Sequence, residues 1–215
     1  MSEKIKAVIF DLDGTLVNTL DDIAAAMNYS LALHGLPVWD VDDYRYLVGN
    51  GARVLAKRAV RDRQDMLDQV HRAYQHQYET HSRVLSAPYP GIPQLLDELR
   101  ARGIPCSVFS NKPDADTAGV ISHYFPGYPF SVVRGQLDTV PLKPDPAGAL
   151  AIAGSLGIPP ANFAYLGDTG TDMACAAAAG MQAFGVLWGF RGREELIETG
   201  ARFLLDSPED LVAYL

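Results

Sequence analysis

The sequence predicts an α/β protein with a doubly wound, mostly parallel sheet and a smaller helical unit inserted after the first strand. From about residue 87 onward, short apolar runs alternate with stretches of helical spacing, as strands and helices do around a parallel sheet. The run Ala7-Val8-Ile9-Phe10 is short and uniformly apolar, which is typical of a strand buried on both faces. Residues 17–86 instead show helical patterns and no clear strand.

The inserted unit is assigned to residues 17–86, and the core to residues 1–16 and 87–215. Within the inserted unit, apolar spacing predicts helices over residues 20–33, 40–46, 52–60 and 61–78. Gly35 and Pro37 end the first of these, and Gly49-Asn50-Gly51 forms a turn before the third. The unit carries nine acidic and eight basic residues, so it is nearly neutral within a chain of net charge −8.

In the core, the later strands are predicted at residues 105–109, 130–133, 162–166, 182–187 and 202–205. Helices are predicted at 92–102, 114–123, 145–156 and 194–199, through an Ala-rich stretch ending at 179, and after Ser207-Pro208-Glu209. Ligands of open parallel sheets bind beyond the carboxyl ends of the strands. The residues that follow each strand are therefore the candidates for chemistry.

Two carboxylates, Asp11 and Asp13, emerge where the first strand ends. Alternate residues of an extended chain point the same way, so the two side chains can converge before Gly14 turns the chain. Paired acids suit a divalent cation, and repulsion between two close carboxylates lets one stay ionised as a nucleophile. The alternative is that Asp13, Gly14 and Thr15 form only a turn, where acids and glycine are common.

Two further segments provide groups that can hold a phosphate. Ser110-Asn111-Lys112 follows a predicted strand, so a hydroxyl and backbone N–H groups reach the same edge of the sheet as Asp11. Lys143 precedes Pro144 at a predicted helix start, where an ammonium and a helix N-terminus both favour an anion. The alternatives are that Ser110 caps the next helix and that Lys143 is simply solvated.

A second pair of acids lies in Gly167-Asp168-Thr169-Gly170-Thr171-Asp172, after another predicted strand. Asp168 can reach a cation at the tip of that strand. Asp172 lies about one helical turn further and can act through a coordinated water or a hydrogen bond. The alternative is an acidic helix start, which the helix dipole favours.

The composition argues against several other classes of protein. With 215 residues, 48% of them hydrophobic, the chain can bury a sizeable core, and its net charge of −8 disfavours nucleic-acid binding. Cys106 and Cys175 lie apart in apolar surroundings, which indicates buried free thiols and a cytoplasmic protein. Residues 173–190 are uncharged, but Gly180, Gly185 and Gly189 interrupt them, so no membrane span is expected. Both a monomer and a small homo-oligomer remain open.

In their order along the chain, the four strand-end segments resemble those of the haloacid dehalogenase-like phosphohydrolases. The matching segments are Asp11-x-Asp13-Gly14-Thr15, Ser110-Asn111-Lys112, Lys143-Pro144 and Gly167-Asp168-x-x-x-Asp172. The likeness covers nearly the whole chain and implies a Rossmann-like core with a small helical cap over residues 17–86. Within the family, Val48-Gly49-Asn50-Gly51-Ala52 and Gly185-Val186-Leu187-Trp188-Gly189-Phe190 are most similar to the phosphoglycolate phosphatases.

The resemblance implies catalytic and metal-binding roles for the acidic residues. Asp11 is then the nucleophile, Asp13 is the general acid and base, and Thr15 positions Asp13 or the phosphate. Mg²⁺ is held by Asp11, the backbone carbonyl of Asp13 and Asp168, with Asp172 as a further contributor. The implied reaction is hydrolysis of a phosphate monoester through an aspartyl-phosphate.

The resemblance also implies groups that bind the substrate, a small phosphorylated metabolite with 2-phosphoglycolate as the leading candidate. Ser110, the Asn111 N–H and Lys143 would take the phosphoryl oxygens. Arg53, in the implied cap, is a candidate for the substrate's carboxylate or distal phosphate, because a guanidinium suits such groups. Simple solvation of Arg53 is the alternative.

Two other functions share these motifs in part. A sugar-phosphate mutase of the same fold would need the same acids and Mg²⁺, so the motifs do not exclude it. A phospho-accepting receiver module, from a different functional class, also gathers acids, a hydroxyl and a lysine at the edge of a parallel sheet. In a receiver, however, the acceptor would not lie in the first strand and a cap would have no purpose; steady release of phosphate would distinguish the phosphatase.

Overall fold

The computed structural model describes residues 4–215 and contains two sheets. The strands are β1 (Ala7–Phe10), β2 (Val17–Asn18), β3 (Ala87–Pro88), β4 (Cys106–Pro113), β5 (Val132–Gln136), β6 (Phe163–Gly167), β7 (Gln182–Val186) and β8 (Phe203–Leu205). Six of them form one parallel sheet in the order β5-β4-β1-β6-β7-β8, and β2 pairs with β3 antiparallel. The predicted α/β fold with a parallel, doubly wound sheet is confirmed.

The helices follow the predicted order closely. They are α1 (Leu20–Leu33), α2 (Tyr44–Leu47), α3 (Ala52–Ala59), α4 (Leu67–His81), α5 (Ile92–Ala101), α6 (Asp114–Tyr124), α7 (Ala147–Leu156), α8 (Gly170–Ala178) and α9 (Arg193–Glu198). Short 3₁₀ segments lie at Val41–Asp43, Gln64–Met66, Pro160–Asn162 and Pro208–Tyr214. Within residues 4–215, no helix combines the length and apolar character needed to cross a membrane.

Several predicted boundaries are wrong, and the strand predicted at residues 130–133 lies at Val132–Gln136. The helix predicted from residue 61 begins at Leu67, because Arg61 has a φ of 52°, in the left-handed region that interrupts a helix. The strand predicted to end at Phe109 continues to Pro113, so Ser110, Asn111 and Lys112 lie within β4 rather than after it. The last predicted helix is the 3₁₀ segment Pro208–Tyr214.

The core lies on both faces of β1, as the apolar run predicts. Val8 and Phe10 pack into the cluster that contains α5 and the inward side of α6, whereas Ala7 and Ile9 pack into the cluster with α7 and α8. This division follows from the alternation of side chains along a strand. Both cysteines are free and buried, in agreement with the prediction for thiols.

Helices α1 to α4 form a third apolar cluster of their own, whose members include Leu20, Met27, Leu31, Leu55, Val70 and Tyr74. The prediction that residues 17–86 contain no strand is wrong at one end, where Val17–Asn18 forms a strand that pairs with Ala87–Pro88. A second tie is the Asp22 carboxylate, which accepts the N–H groups of residues 84–86 at 2.9–3.2 Å. The outgoing and returning segments of the chain are therefore bound to each other beside the sheet.

The topology brings distant segments to one place. β1 lies between β4 and β6, and the chain reaches these two strands by connections on opposite sides. In such sheets the crevice at the carboxyl ends, where the strand order reverses, is the usual ligand site. The helices α1 to α4 begin just beyond the carboxyl end of β1 and so lie at this crevice.

Candidate active site

Asp11 lies at the centre of the site, immediately after β1. Its N–H donates to the Leu166 carbonyl of β6 at 2.9 Å, so the neighbouring strand fixes its backbone. The side chain is buried, and its Oδ1 lies 2.8 Å from Lys143 Nζ. Oδ1 forms this ion pair but has no hydrogen-bond partner among the described residues. An anionic oxygen with free lone pairs is thus held at the tip of the central strand.

Three buried carboxylates gather at this point. Asp11, Asp168 and Asp172 each offer an oxygen, and the three oxygens lie within 4.8 Å of one another. Burial raises the pKa of Asp11 to about 7; the charge of Asp172 adds to this effect and Lys143 opposes it. Burial, with Asp172 and Asp11, also raises the pKa of Asp168 well above its usual value. The negative charge of the three carboxylates is therefore not fully balanced by nearby positive charge.

A divalent cation fits this cluster. Hard cations take carboxylate oxygens as ligands, and a charge of +2 would remove the repulsion that raises these pKa values. Within residues 4–215, Lys143 is the ammonium paired with the cluster, and it contacts Asp11 and Asp172 rather than Asp168. The oxygen chemistry and the charge imbalance both favour a divalent cation at this cluster.

Asp168 is held rigidly in a pocket of backbone and small residues. Thr15 Oγ1 donates to its Oδ1 at 3.1 Å, and the Phe190 N–H donates to its Oδ2 at 2.9 Å. A Cβ atom on Gly14 or Gly189 would collide with the Asp168 side chain, and Gly14 also has a φ of 84°. The prediction that Thr15 positions Asp13 or the phosphate is corrected, because its hydroxyl is bonded to Asp168.

Asp13 lies apart from the three-carboxylate cluster and has different partners. Its Oδ1 accepts from Thr19 Oγ1 at 2.7 Å, and Lys112 Nζ lies 3.1 and 3.2 Å from its two oxygens. Lys112 also donates to the Tyr78 hydroxyl of α4 at 2.8 Å. Asp13 therefore faces the helical unit, whereas Asp11 faces the sheet.

Asn111 joins three segments of the site through its side-chain amide. Nδ2 donates to the carbonyls of Gly49 and Lys143, both at 3.1 Å, and Oδ1 accepts the Lys143 N–H at 2.8 Å. Ser110 is buried beside it and accepts the Lys112 N–H at 3.2 Å. Ser110 is not the cap of α6, since that helix begins at Asp114, with Pro113 before it.

Lys143 and Asp172 form a buried ion pair. Lys143 Nζ donates to Asp172 Oδ1 at 2.7 Å and to the Phe109 carbonyl at 3.2 Å. Burial opposes the charge of Lys143, but Asp11 and Asp172 outweigh burial and raise its pKa. Asp172 Oδ2 accepts the N–H and hydroxyl of Thr169 in a capping box, so this acid both starts α8 and belongs to the cluster.

A cavity opens over Asp11 and Asp13, between the sheet and the helical unit. It measures about 50 Å³ when mapped by the centres of water-sized molecules, which corresponds to roughly three to five waters. The helical unit contributes mainly apolar side chains and glycines to its wall, while the core contributes the charged groups. The lining residues from the helical unit are Ile23, Val48, Gly49, Gly51, Ala52, Leu55, Tyr74 and Gln75.

Arg53 does not reach this cavity. Its guanidinium lies 2.8 Å from the Asp68 carboxylate, and both side chains are more than half exposed. Its neighbours Gly51 and Ala52 line the cavity, but the helical turn directs Arg53 away from them. The prediction that Arg53 binds the substrate is corrected, and the alternative of a solvated arginine describes its placement.

Several site residues were not predicted from the sequence. Lys112 and Thr19 bind Asp13, and the Phe190 N–H binds Asp168. Lys112 and Phe190 each lie in a segment that the sequence had identified as important, so their approximate place was predictable. The residues that they contact were not predictable. No signal in the sequence indicated that Thr19 would reach back to Asp13.

Comparison with known proteins gives consistent results. The family model for haloacid dehalogenase-like hydrolases matches residues 8–186. Over 215 residues the chain is 31% identical to phosphoglycolate phosphatase 1 of Pseudomonas aeruginosa, covering 96% of this chain and 78% of that protein. Over 220 residues it is 31% identical to the N-acetylmuramic acid 6-phosphate phosphatase of the same organism, covering 99% and 95%. The crystal structure of a predicted phosphoglycolate phosphatase from Haemophilus somnus matches with a TM-score of 0.90 and 28% identity, covering 97% of each chain.

Proposed function

The chain belongs to the haloacid dehalogenase-like hydrolases, and from this we propose that it hydrolyses 2-phosphoglycolate with the help of Mg²⁺. It is a phosphoric monoester hydrolase; the substrate, the metal and the roles of the residues are the proposal. One observation carries it. The Asp11 carboxylate stands at the tip of the central strand, with its Oδ1 2.8 Å from Lys143 Nζ and with the other buried carboxylates beside it.

Asp11 is the nucleophile in the proposed mechanism. One of its carboxylate oxygens bonds to phosphorus while the phosphorus–ester bond breaks, and the departing oxygen takes a proton from Asp13. Water then attacks phosphorus, its proton passes to Asp13, and the bond between Asp11 and phosphorus breaks. Asp13 suits both steps because it faces the cavity from the side of the helical unit, where the organic group would leave.

Asp11 and Asp168, with the backbone carbonyl of Asp13, would hold Mg²⁺, and Asp172 would support the site through Lys143. When bound, the cation supplies charge that offsets repulsion between a carboxylate and a phosphate. Thr15 and the Phe190 N–H keep the Asp168 carboxylate in place for this role. Partners of this kind typically change metal affinity by about 10- to 100-fold.

Three groups would bind the other phosphoryl oxygens. Lys143 brings a buried ammonium to Asp11, Ser110 brings a hydroxyl, and the Asn111 N–H belongs to β4, next to Ser110. Donors fixed before the reaction stabilise the charge of the transferring group without needing to reorganise. The Asn111 side chain fixes the backbone of Lys143 and so positions this set.

The proposed substrate is supported by the names of similar proteins and by the size of the cavity. Similar proteins are named for phosphoglycolate and for N-acetylmuramic acid 6-phosphate. The cavity beside Asp11 and Asp13 is narrow, and its small volume supports a substrate with a small organic group, such as a methylene and a carboxylate. We also propose that residues 17–86 act as a cap that shields the site from water, since α1, α3, α4 and the turn before α3 line one side of the cavity.

The test is the steady-state release of phosphate from a panel of substrates with and without EDTA. The panel contains 2-phosphoglycolate, N-acetylmuramic acid 6-phosphate, a hexose phosphate and a nucleotide. We expect 2-phosphoglycolate to have the highest kcat/KM and EDTA to abolish turnover. Interconversion of hexose phosphates without phosphate release would indicate a mutase instead, and a stable phosphoprotein without turnover would indicate a receiver.

The nucleophile is tested with Asp11→Asn. Loss of the attacking oxygen should lower kcat by about 1,000-fold or more and prevent labelling of the protein by radioactive phosphate. Asp138→Asn is the control, because Asp138 is an exposed acid outside the cavity lining. If Asp11→Asn turned over as fast as the control, Asp11 would not be the nucleophile.

A further inference from the structure

Lys112 is a buried ammonium that the phosphate site does not use. Its side chain is 5% exposed and lines the cavity on the side of Asp13. Nζ lies 3.1 Å from Asp13 Oδ1 and 2.8 Å from the Tyr78 hydroxyl. Among the described residues that line the cavity, Lys112 and Lys143 carry the positive charges, and Lys143 is paired with Asp11 and Asp172. A cation therefore stands at the leaving-group end of the cavity.

The chemistry of the substrate requires a cation at this place. In 2-phosphoglycolate a single methylene separates the ester oxygen from the carboxylate. A group that binds the carboxylate must therefore lie next to the acid that protonates the ester oxygen, which is Asp13 in the proposed mechanism. Lys112 is in contact with Asp13, whereas Arg53 lies outside the cavity.

We propose that Lys112, together with the Tyr74 hydroxyl, forms the subsite that binds the substrate's carboxylate and selects acids over neutral phosphate monoesters. The proposal rests on the function proposed above. An ammonium has three donors in flexible directions, so Lys112 can bind Asp13 and a substrate carboxylate together. Such charge-assisted bonds are among the stronger ones in proteins.

Tyr74 supports this assignment. It lines the same cavity as Lys112 and Asp13. Its ring stacks on Tyr78 with centroids 5.5 Å apart, and Tyr78 in turn holds Lys112. The side chains around these groups are largely apolar, with Ile23 and Leu55 among them, so water competes weakly for the carboxylate.

The test compares 2-phosphoglycolate with 2-hydroxyethyl phosphate, which has a neutral hydroxyl in place of the carboxylate. The measured quantity is the ratio of the two kcat/KM values. We expect Lys112→Met to reduce this ratio by about 10- to 100-fold, the range for loss of a charge-assisted bond. Lys112→Arg should keep most of the preference because it keeps the cation, and Tyr74→Phe should reduce the ratio by about threefold to tenfold.

Arg53→Met is the matched control, since it removes an exposed cation of α3 that lies outside the cavity, and we expect an unchanged ratio. If Lys112→Met lowered both kcat/KM values by the same factor, Lys112 would act only on Asp13 and the subsite would be rejected. A wild-type enzyme that hydrolyses both compounds equally well would instead reject the proposed substrate. If Lys112→Met does not fold, Tyr74→Phe and Lys112→Arg decide the question by the same ratio.

Discussion

At the scale of single residues, Asp11 shows how burial and function are linked. Its pKa is raised to about 7 because it is buried, with the charge of Asp172 as the next contribution, while Lys143 acts in the opposite direction. In the unfolded chain the same group has a pKa near 3.8. The folded, metal-free protein thus binds a proton at Asp11 that the unfolded chain has lost, so stability falls as the pH rises from about 4 to about 7.

This linkage predicts a pH-dependent affinity for Mg²⁺. The cation needs ionised Asp11, so binding below pH 7 must displace a proton. We expect the association constant, measured by calorimetry, to rise at least about tenfold between pH 6 and pH 8 and then to level off. The stabilisation by Mg²⁺ in thermal unfolding should grow over the same range. An affinity that did not change between these pH values would contradict the raised pKa of Asp11.

Lys112 and Arg53 show that residue type alone does not locate a binding group. An arginine next to a glycine-rich turn in the inserted unit satisfied every local criterion for an anion site, yet it pairs with Asp68 in solvent. In the sequence, Lys112 is simply the last residue of Ser110-Asn111-Lys112, a segment selected for its hydroxyl and backbone N–H groups. It is buried and paired because β4 continues through it and α4 packs above it.

At the scale of elements, the extension of β4 to Pro113 is the most consequential difference from the predicted structure. A strand that ended at Phe109 would leave Ser110, Asn111 and Lys112 in a flexible loop. Within the strand, alternate side chains point to opposite faces, so Asn111 reaches Gly49 and the Lys143 backbone while its neighbours occupy other positions. Asn111 thereby ties three segments together.

We predict that Asn111→Ala destabilises the protein by about 3 kcal/mol. The change removes bonds to the Gly49 and Lys143 carbonyls and to the Lys143 N–H, and leaves these buried groups unsatisfied. Urea unfolding monitored by circular dichroism measures the difference. Asn18→Ala, which removes a 3.3 Å bond at the exposed start of α1, should cost at most about 1 kcal/mol. Equal losses for the two variants would show that the Asn111 side chain does not join these segments.

At the scale of the whole molecule, the site exists only while the helical unit rests on the core. Hydrogen bonds cross the boundary from both sides. Arg45 donates to the Gly189 carbonyl, Arg191 to the Val48 carbonyl and Asn50 to the Thr171 hydroxyl. Each hydrogen bond contributes little free energy by itself, but all three involve segments that lie near Asp168 and the cavity. We expect their sum to determine how strongly the helical unit is held against the core.

Arg191 offers the clearest test of closure. Its side chain is 8% exposed, donates to the Val48 carbonyl at 3.1 Å and pairs with Glu195 at 3.1 Å. Arg191→Met should raise KM by about threefold to tenfold with a smaller change in kcat, because one interaction of about 1 kcal/mol no longer favours the closed form.

The control for closure is Arg193→Met, which removes an exposed arginine two residues further on, at the start of α9, that lies 3.6 Å from Asp206. It should leave KM within about twofold of the wild type, as is typical of surface substitutions. Hydrogen exchange at residues 48–51 should be faster in Arg191→Met only. If the two variants had the same KM and the same exchange, the Arg191 contact would not contribute to closure.

The sequence by itself determined the parallel α/β sheet, nearly every helix, and the four strand-end segments, because these depend on local periodicity and on short runs that emerge at one edge of a sheet. The tertiary structure alone decided which of those polar groups meet. Thr15 holds Asp168 across 153 positions and Lys112 holds Asp13 across 99, while Arg53 remains in solvent. Such pairs depend on how strands and helices that are distant in sequence pack together. A shift of a few ångströms decides whether a charged group is paired, and the burial of that group shifts its pKa.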